Sequence, residues 1–376
     1  MVKRIFIAGT GGIGRAAAVL LREWSETEVE LYLGDVSEEQ LDEAYHFITR
    51  RSDSGSGIVL VQMPAGETTG EMRAAFDECD VLLDCAPGGE APRLAEFAKE
   101  HGMHYANLTE YVAETDKIIE LAEGADTGFI LQTGLAPGFI NVLAVSLYNR
   151  FVEEFGNANV EKIAMKVGAL TAHAHAPHFY GFTWSPIGVA TEYVKNSRVV
   201  RDHRITELPA LSEREAIVIG GRRFDADLTS GGAADLPERF ASLARTLDYK
   251  TLRHVGHFDW ASGVIHEFAN DEDLPQKVLE RFLREIPAVE DDFVLAHASV
   301  EGFDSDGVRR LLEKAYFVNP IEINGNRLRA IQTTTAAPLC EAAMMLISGR
   351  YKGVILQSAI DPAEFLGGRF VSRIFV

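Results

Sequence analysis

Cysteine is scarce in this chain: Cys79, Cys85 and Cys340 are the three in 376 residues, an odd number without CxxC or zinc-ligand spacing. That argues against a disulfide framework or a thiolate zinc site, and for thiols kept reduced. Long apolar runs are missing too, since none reaches the roughly eighteen residues that a membrane span takes. The first residues lead straight into a strand rather than a signal-peptide pattern, so the expectation is a cytoplasmic protein with no membrane partner. Positive charge is also in short supply. With 36 Lys and Arg against 56 Asp and Glu, the net charge of −20 argues against nucleic acid, whose phosphates are held by basic patches. Neither an internal repeat nor a low-complexity segment is present, and the chain reads as globular throughout.

What is there, 47% hydrophobic and 24% charged residues, is the composition of an ordinary globular protein. The length exceeds one comfortable core, which makes two domains the expectation. The organising stretch is Lys3 to Gly14, KRIFIAGTGGIG. Ile5 to Ala8 reads as a buried strand, Gly9-x-Gly11-x-x-Gly14 as a turn, and the residues from Ile13 as an apolar helix, the order that dinucleotide binding requires. One glycine permits a tight turn, one lets backbone approach a pyrophosphate, and one lets helix pack on strand, while amides at the helix start face the anion. Gly9, Thr10, Gly11, Gly12, Ile13 and Gly14 are therefore coenzyme-binding candidates. A second apolar run, Val29 to Leu33, leads to Asp35, about twenty residues after the last glycine, where an acid binds the ribose 2′-hydroxyl. Asp35 repels a 2′-phosphate, and Val36 and Ser37 follow it with no Arg, so NAD is expected over NADP. The plain alternative, a glycine turn that joins strand to helix without a ligand, leaves the acid without a role.

Short apolar runs and amphipathic stretches then alternate. Ser37 caps a helix to about Ile48, with Glu38 to Gln40 in its first turn. A loop over Arg51 to Gly57 follows, then a strand Ile58 to Met63, a helix Glu67 to Phe76, a strand Val81 to Cys85, a turn Pro87 to Gly89 and a helix Pro92 to His101. His104 to Leu108 reads as strand, Ala113 to Ala122 as helix, and Phe129 to Gln132 as strand. Right-handed crossovers and an open, doubly wound parallel sheet of Rossmann type are implied, with ligands at the carboxyl ends of the strands. Gln62 and Met63 are placed there to flank an adenine, and Ala86 and Pro87 to run beside ribose or phosphates. Asn107 to Glu110, Leu108 among them, should approach the nicotinamide. For each of these, packing alone is the alternative. Cys85, with no histidine near it in sequence, reads as a core residue rather than a nucleophile.

From Gly134 the composition changes. GLAPGFIN opens an apolar helix to about Phe151, after which strands dominate: Ile163 to Val167, a hairpin across Gly220 and Gly221 between Ala216 to Ile219 and Arg222 to Leu228, Lys250 to Val255, and Phe293 to Val300. Helices are expected over Ser185 to Lys195, Pro237 to Arg245 and Leu274 to Glu285. Arg309 to Val318 is ambiguous, because LLEKA favours helix and YFV favours strand. These features describe an α+β, mixed-sheet substrate domain over residues 137–332, inserted in a dinucleotide-binding domain made of residues 1–136 and 333–376. The last part, Thr333 to Ser348, reads as a helix stopped by Gly349 and packed on the nucleotide domain.

With Gly134 to Asn141, the pieces Val167-Gly-Ala-Leu170, Thr183-Trp-Ser-Pro186, Tyr249-Lys-Thr-Leu-Arg253 and Gly256-His257 make the chain similar to the saccharopine dehydrogenase and lysine 6-dehydrogenase family. Their order and spacing resemble the lysine 6-dehydrogenase branch most, over nearly the whole chain. The resemblance implies a nucleotide domain completed by the C-terminal segment, a mixed-sheet substrate domain and a homodimer formed through that sheet. It also implies oxidation of a carbon–nitrogen bond in a lysine-derived amine with NAD or NADP, or the reverse imine reduction. One position departs from the pattern: Asn107 stands where family members often carry Asp in a phrase like YVDLS.

Oxidising an amine by hydride transfer needs a neutral amine, an oriented substrate and water for the imine. Lys250 and His257 are the candidate bases, and Arg253 suits a bidentate hold on a substrate carboxylate. Together with Asn107 they form the candidate catalytic set. On a strand Lys250 and His257 fall on opposite faces, whereas Arg253 and His257 share one if the strand continues past Gly256. The plain alternatives are an ion-paired Arg253 and a structural His257. His173, His175 and His178 lack carboxylate or thiolate neighbours in sequence, so no metal is expected and Ala172 to Phe179 reads as a loop lining the substrate site. The resulting expectation is an amine dehydrogenase acting on a small amino-acid substrate. Saccharopine dehydrogenase or carboxynorspermidine-type imine reduction is the enzymatic alternative. A non-catalytic NAD-binding regulator is the alternative of another class.

Overall fold

The computed structural model of the chain describes residues 2–50 and 55–376; residues 51–54 of the loop expected over Arg51 to Gly57 lie outside the described residues. Two compact units are present, one of Met1–Phe139, Ile321–Leu328 and Gln332–Val376, the other of Ile140–Pro320 and Arg329–Ile331. The Ile321–Leu328 segment, expected in the substrate domain, thus belongs to the nucleotide unit. There it forms a small hairpin in which Asn324 Nδ2 donates to Glu23 Oε1 at 3.1 Å.

The first unit is an α/β fold around a seven-stranded parallel sheet. Its strands are β1 (Lys3–Ala8), β2 (Val29–Asp35), β3 (Ile58–Gln62), β4 (Val81–Asp84), β5 (His104–Asn107), β6 (Gly128–Ile130) and a last one from far along the chain, Gly353–Ile355. Their spatial order is Gly353–Ile355, β6, β5, β4, β1, β2, β3. The chain steps outward from β1 to β3, then returns to the other side of β1, so the order reverses between β1 and β4, where ligands enter such sheets. Between strands run α1 (Gly12–Trp24), α2 (Glu38–Thr49), α3 (Gly70–Glu78), α4 (Ala91–Glu100) and α5 (Val112–Leu121). β1 and β4 are apolar because both sheet faces are covered. Phe6 packs on Phe76 at 4.8 Å between ring centres, and Phe76 stacks on Phe97 at 5.3 Å. Ser37 caps α2 through the Gln40 amide. Thr69 caps α3 through the Met72 amide, which starts that helix at Gly70, later than the Glu67 expected.

The second unit is built on a separate mixed sheet. α6 (Phe139–Phe155) leads to β7 (Val160–Thr171), and α7 (Pro186–Val194) precedes the hairpin β8 (Ser197–Arg201) and β9 (Arg204–Leu208). β10 (Glu215–Ile219) and β11 (Arg222–Leu228) are followed by α8 (Leu236–Phe240) and β12 (Ala244–His254), then by α9 (His257–Glu267), α10 (Leu274–Glu285), β13 (Asp292–Phe303) and β14 (Arg309–Val318). Along the order β10-β11-β12-β7-β13-β14, β12 runs parallel to β7 and the remaining neighbours pair antiparallel. Arg309–Val318 is strand over its full length because each residue pairs with β13, a ladder that overrides the helical preference of LLEKA. The helix expected over Pro237 to Arg245 stops at Phe240, since Ala244 already pairs with Val160 in the β7 ladder. The β8–β9 hairpin was not expected: its turn is Asp202-His203, both at positive φ, and carries no glycine.

One face of this sheet is covered by a cluster that includes Tyr180, Phe182, Tyr193, Phe258 and Phe282 from α7, α9, α10 and the loop before α7. The other face carries Leu170, Phe224, Leu252, Phe293 and Leu295.

Candidate functional site

β1 delivers the chain into Gly9, whose φ of +91° belongs to the left-handed region. A Cβ there would lie 2.7 Å from the Cys85 carbonyl, and one on Gly14 would strike the Gly9 carbonyl, so both glycines are required by close packing of β1, α1 and the end of β4. Gly11 differs. A Cβ on it would meet nothing within 4 Å, so backbone, not side chain, borders that space. Gly11 is also the N-cap of α1 and supplies no side-chain acceptor, which leaves the first helix amides, Gly12, Ile13 and Gly14 among them, without an intrahelical partner. A diphosphate is the group that such a cradle fits.

Asp35, at the carboxyl end of β2, is joined to this loop. Its Oδ2 accepts from the Thr10 amide at 2.8 Å and hydroxyl at 2.9 Å, and its Oδ1 accepts from the Ser37 amide at 3.1 Å. Thr10 is buried and positions Asp35 rather than facing solvent. Val36 is 62% exposed and Gln62 is exposed, both beside that carboxylate. Met63 needs correction as an adenine neighbour: its side chain lies in the sheet core, against the Cα of Gly34. Ala86 and Leu108 are half-buried and Pro87 is exposed.

Asn107, expected near the nicotinamide, is wholly buried at the end of β5. Its Oδ1 accepts from the Gln132 amide and its carbonyl from the Thr133 amide, each at 2.8 Å. Its Nδ2 has no partner among the described residues. Beside it, sequence reading passed over Asp84, the acid that closes the apolar strand VLLD. Asp84 is buried; its Oδ2 accepts from the Tyr105 hydroxyl at 2.7 Å and its Oδ1 from the Ala86 amide at 3.0 Å. Burial pushes this carboxyl up to about 7, against the pull of those two hydrogen bonds. The signal available was positional, an acid ending a buried parallel strand where ligands dock.

In the second unit, Arg253 and His257 do come together. Arg253 is 1% exposed; its Nε donates to the Tyr193 hydroxyl at 2.7 Å, its Nη1 to the Leu252 carbonyl at 3.0 Å, and its guanidinium lies 4.6 Å from the Tyr180 ring centre. The Tyr193 hydroxyl in turn meets His257 Nε2 at 2.9 Å, while His257 Nδ1 donates to the His178 carbonyl at 2.7 Å. With both ring nitrogens engaged, burial and the Arg253 charge push the imidazole down to about 3. His257 is therefore corrected from general base to neutral scaffold. It begins α9 rather than continuing β12, because Gly256 turns the chain at φ +95°. Two buried hydroxyls of the neighbouring segment, Tyr180 and Thr183, lack partners among the described residues.

Lys250 is corrected as well. It points to the opposite sheet face, where its Nζ donates to the Glu213 carbonyl at 2.6 Å and shares Glu215 Oε1 with Lys166, each ammonium 3.3 Å away. Held in that ion network, it is no partner of Arg253. In the loop that carries His173, His175 and His178, His173 pairs with Asp291 at 3.6 Å. Among the described residues, no group of three or more His, Cys, Asp or Glu side chains is placed to hold a metal ion.

Two family models match the chain: the saccharopine dehydrogenase NADP binding domain over residues 5–130 and the saccharopine dehydrogenase C-terminal domain over residues 134–370. The chain belongs to the saccharopine dehydrogenase family. That membership agrees with the resemblance drawn from GLAPGFIN and the pieces that follow it, and the model over residues 5–130 is that of a nicotinamide-coenzyme-binding domain. It is 22% identical over 206 residues to the mitochondrial alpha-aminoadipic semialdehyde synthase of Mus musculus, a match covering 53% of this chain and 21% of that protein. Among solved structures it resembles the apo saccharopine dehydrogenase (L-Glu forming) of Saccharomyces cerevisiae, with a TM-score of 0.70 at 14% identity over 96% of this chain and 95% of that one. The homospermidine synthase of Legionella pneumophila, solved in complex with NAD, also has a TM-score of 0.70, at 12% identity over 100% and 90% of the two chains. At these identities the structures report a shared fold.

Proposed function

We propose that this protein is an NAD-dependent dehydrogenase of a CH–NH bond in a lysine-derived amino acid, similar in activity to lysine 6-dehydrogenase. The observation that carries the substrate class is Arg253: a permanent cation buried among Tyr180, Tyr193 and His257, with hydrogen bonds to a hydroxyl and a carbonyl and the charge of the buried Glu192 acting on it. A substrate carboxylate is a group that such a guanidinium recognises. NAD is chosen over NADP because the Asp35 carboxylate, locked by Thr10 and Ser37, stands where a 2′-phosphate would bring like charge.

The bound coenzyme supplies the hydride acceptor, and the protein supplies placement. In the first unit the amides after Gly11 would hold the diphosphate and Asp35 would accept from the ribose; in the second, Arg253 would fix the carboxylate end of the amine. His257, neutral and bonded on both sides, keeps the Tyr193 hydroxyl against Arg253 and moves no proton. The test is growth of NADH absorbance with L-lysine, saccharopine and a panel of related amines, and its decay with the matching imines. Turnover of a carboxylated amine, with NAD preferred, is expected. Silence across the panel by protein that binds NADH would reject the enzymatic reading in favour of an NAD-sensing regulator.

A further inference from the structure

The sheet order reverses between β1 and β4, and the two strands end side by side, with Ala8 and Asp84 as register partners. Asp84 is thus a buried carboxyl one residue short of the level at which Gly9 turns, beneath the crevice where the coenzyme reading places a diphosphate. It also organises that crevice. Its Oδ1 holds the amide of Ala86, and the Cys85–Ala86 peptide is the backbone against which Gly9 packs. We infer that Asp84 is a positioning residue for the coenzyme, fixing the turn that backs the first glycine, and that binding of the diphosphate is coupled to uptake of one proton at the Asp84 carboxyl. The inference rests on the dinucleotide reading of the loop and adds a residue and a linkage to it.

The geometry accommodates both protonation states. The Tyr105 hydroxyl lies 2.7 Å from Asp84 Oδ2 and 3.2 Å from the Ala91 carbonyl. With Asp84 ionised, the tyrosine donates to the carboxylate; with Asp84 protonated, the acid donates to the tyrosine oxygen, and the tyrosine donates to Ala91. Either way no buried donor or acceptor on this path is orphaned. Among the described residues, no cation acts on it. β1 contributes Ala8, β5 contributes Tyr105, the turn contributes Cys85, whose thiol is pushed up by burial and by Asp84, and the formal charge acting from the start of α4 is Glu90, another anion. A dianionic diphosphate brought to the same crevice, where screening by salt is weak, favours the neutral form of the acid.

The experiment is calorimetry of NADH binding at about pH 8, in two buffers of different ionisation heat, on wild-type protein, Asp84→Asn and Tyr105→Phe. Wild type is expected to take up a fraction of a proton on binding, and its Kd to rise by up to about tenfold per pH unit above neutrality. Asp84→Asn keeps an acceptor for Ala86 and a donor toward Tyr105. It should bind with no buffer-dependent heat and a Kd flat between pH 6 and pH 8. Tyr105→Phe removes the hydrogen bond that favours the ionised acid and should move the onset of the Kd rise to higher pH. In the coenzyme-free protein, infrared titration should show a carboxylic C=O band that fades through neutral pH and is missing in Asp84→Asn. Binding without proton uptake, or uptake that survives Asp84→Asn, overturns the inference while leaving the coenzyme site standing. Wild type that binds no NADH at all overturns the coenzyme site and the inference together.

Discussion

His257 carries its proton on Nδ1, toward the His178 carbonyl, and offers Nε2 to Tyr193. In acid this arrangement becomes a liability. The unfolded chain takes up a proton at its histidines near about pH 6.5, whereas the buried ring resists until about 3. Between those values the unfolded state binds the extra proton, so stability rises with pH there and is lost on acidification, by about 2 kcal/mol at pH 5. Urea unfolding of wild type and His257→Gln at pH 7 and pH 5 checks this. The variant should be the weaker at pH 7 and lose less than wild type on going to pH 5; an equal loss in both would show that His257 does not carry the effect. At this scale the sequence was informative about partners and silent about burial. Arg253 and His257 share a face by spacing only if the strand runs past Gly256; it does not, and the two meet through the Tyr193 hydroxyl instead, while Lys250 lies on the other sheet face as strand period implies. What spacing could not show is that α7 and α9 would close over the histidine, which converts a candidate base into a scaffold. Nor could it show that Lys250 would be held by Glu213 and Glu215.

The loop between β1 and α1 separates two roles that glycine plays. At Gly14 a side chain would meet the Gly9 carbonyl, and at Gly11 it would meet open space. Gly11→Ala is therefore expected to keep the wild-type melting temperature within a few degrees while raising the Kd for NADH by about tenfold or more, because the methyl group occupies the place of the diphosphate. Gly14→Ala should lower both affinity and melting temperature. A Gly11→Ala protein that binds NADH as well as wild type would show that the diphosphate does not rest there. Elements of this kind were legible because local sequence and tertiary demand agree: strand, glycine turn, helix and acid follow one another within Lys3 to Asp35, and α10 was read at its observed bounds. The stretches left open or misread are those where pairing decided. Arg309–Val318 becomes strand by lying along β13, Ala244 joins β12 because β7 is there to receive it, and the Asp202-His203 turn hides a hairpin that a glycine would have announced.

Viewed whole, the molecule leaves β14 at the end of its sheet path, ten residues paired on one side, with Leu311 54% and Phe317 43% exposed. A long edge strand with exposed apolar side chains is a surface that proteins cover, and a second copy of the chain is the occupant proposed here. Light scattering after gel filtration should give twice the chain mass, and Leu311→Lys with Phe317→Lys should reduce it to the monomer without loss of helix content. A wild-type monomer at micromolar concentration would end that proposal. The nucleotide unit has a different long-range dependence. Its strand Gly353–Ile355 pairs with Gly128–Ile130 across more than two hundred residues of intervening chain. A ribosome making this protein will therefore have released the entire second unit before the sheet of the first can be finished. Until then Gly128–Ile130 has a strand partner on one side alone, the one that ends at Asn107.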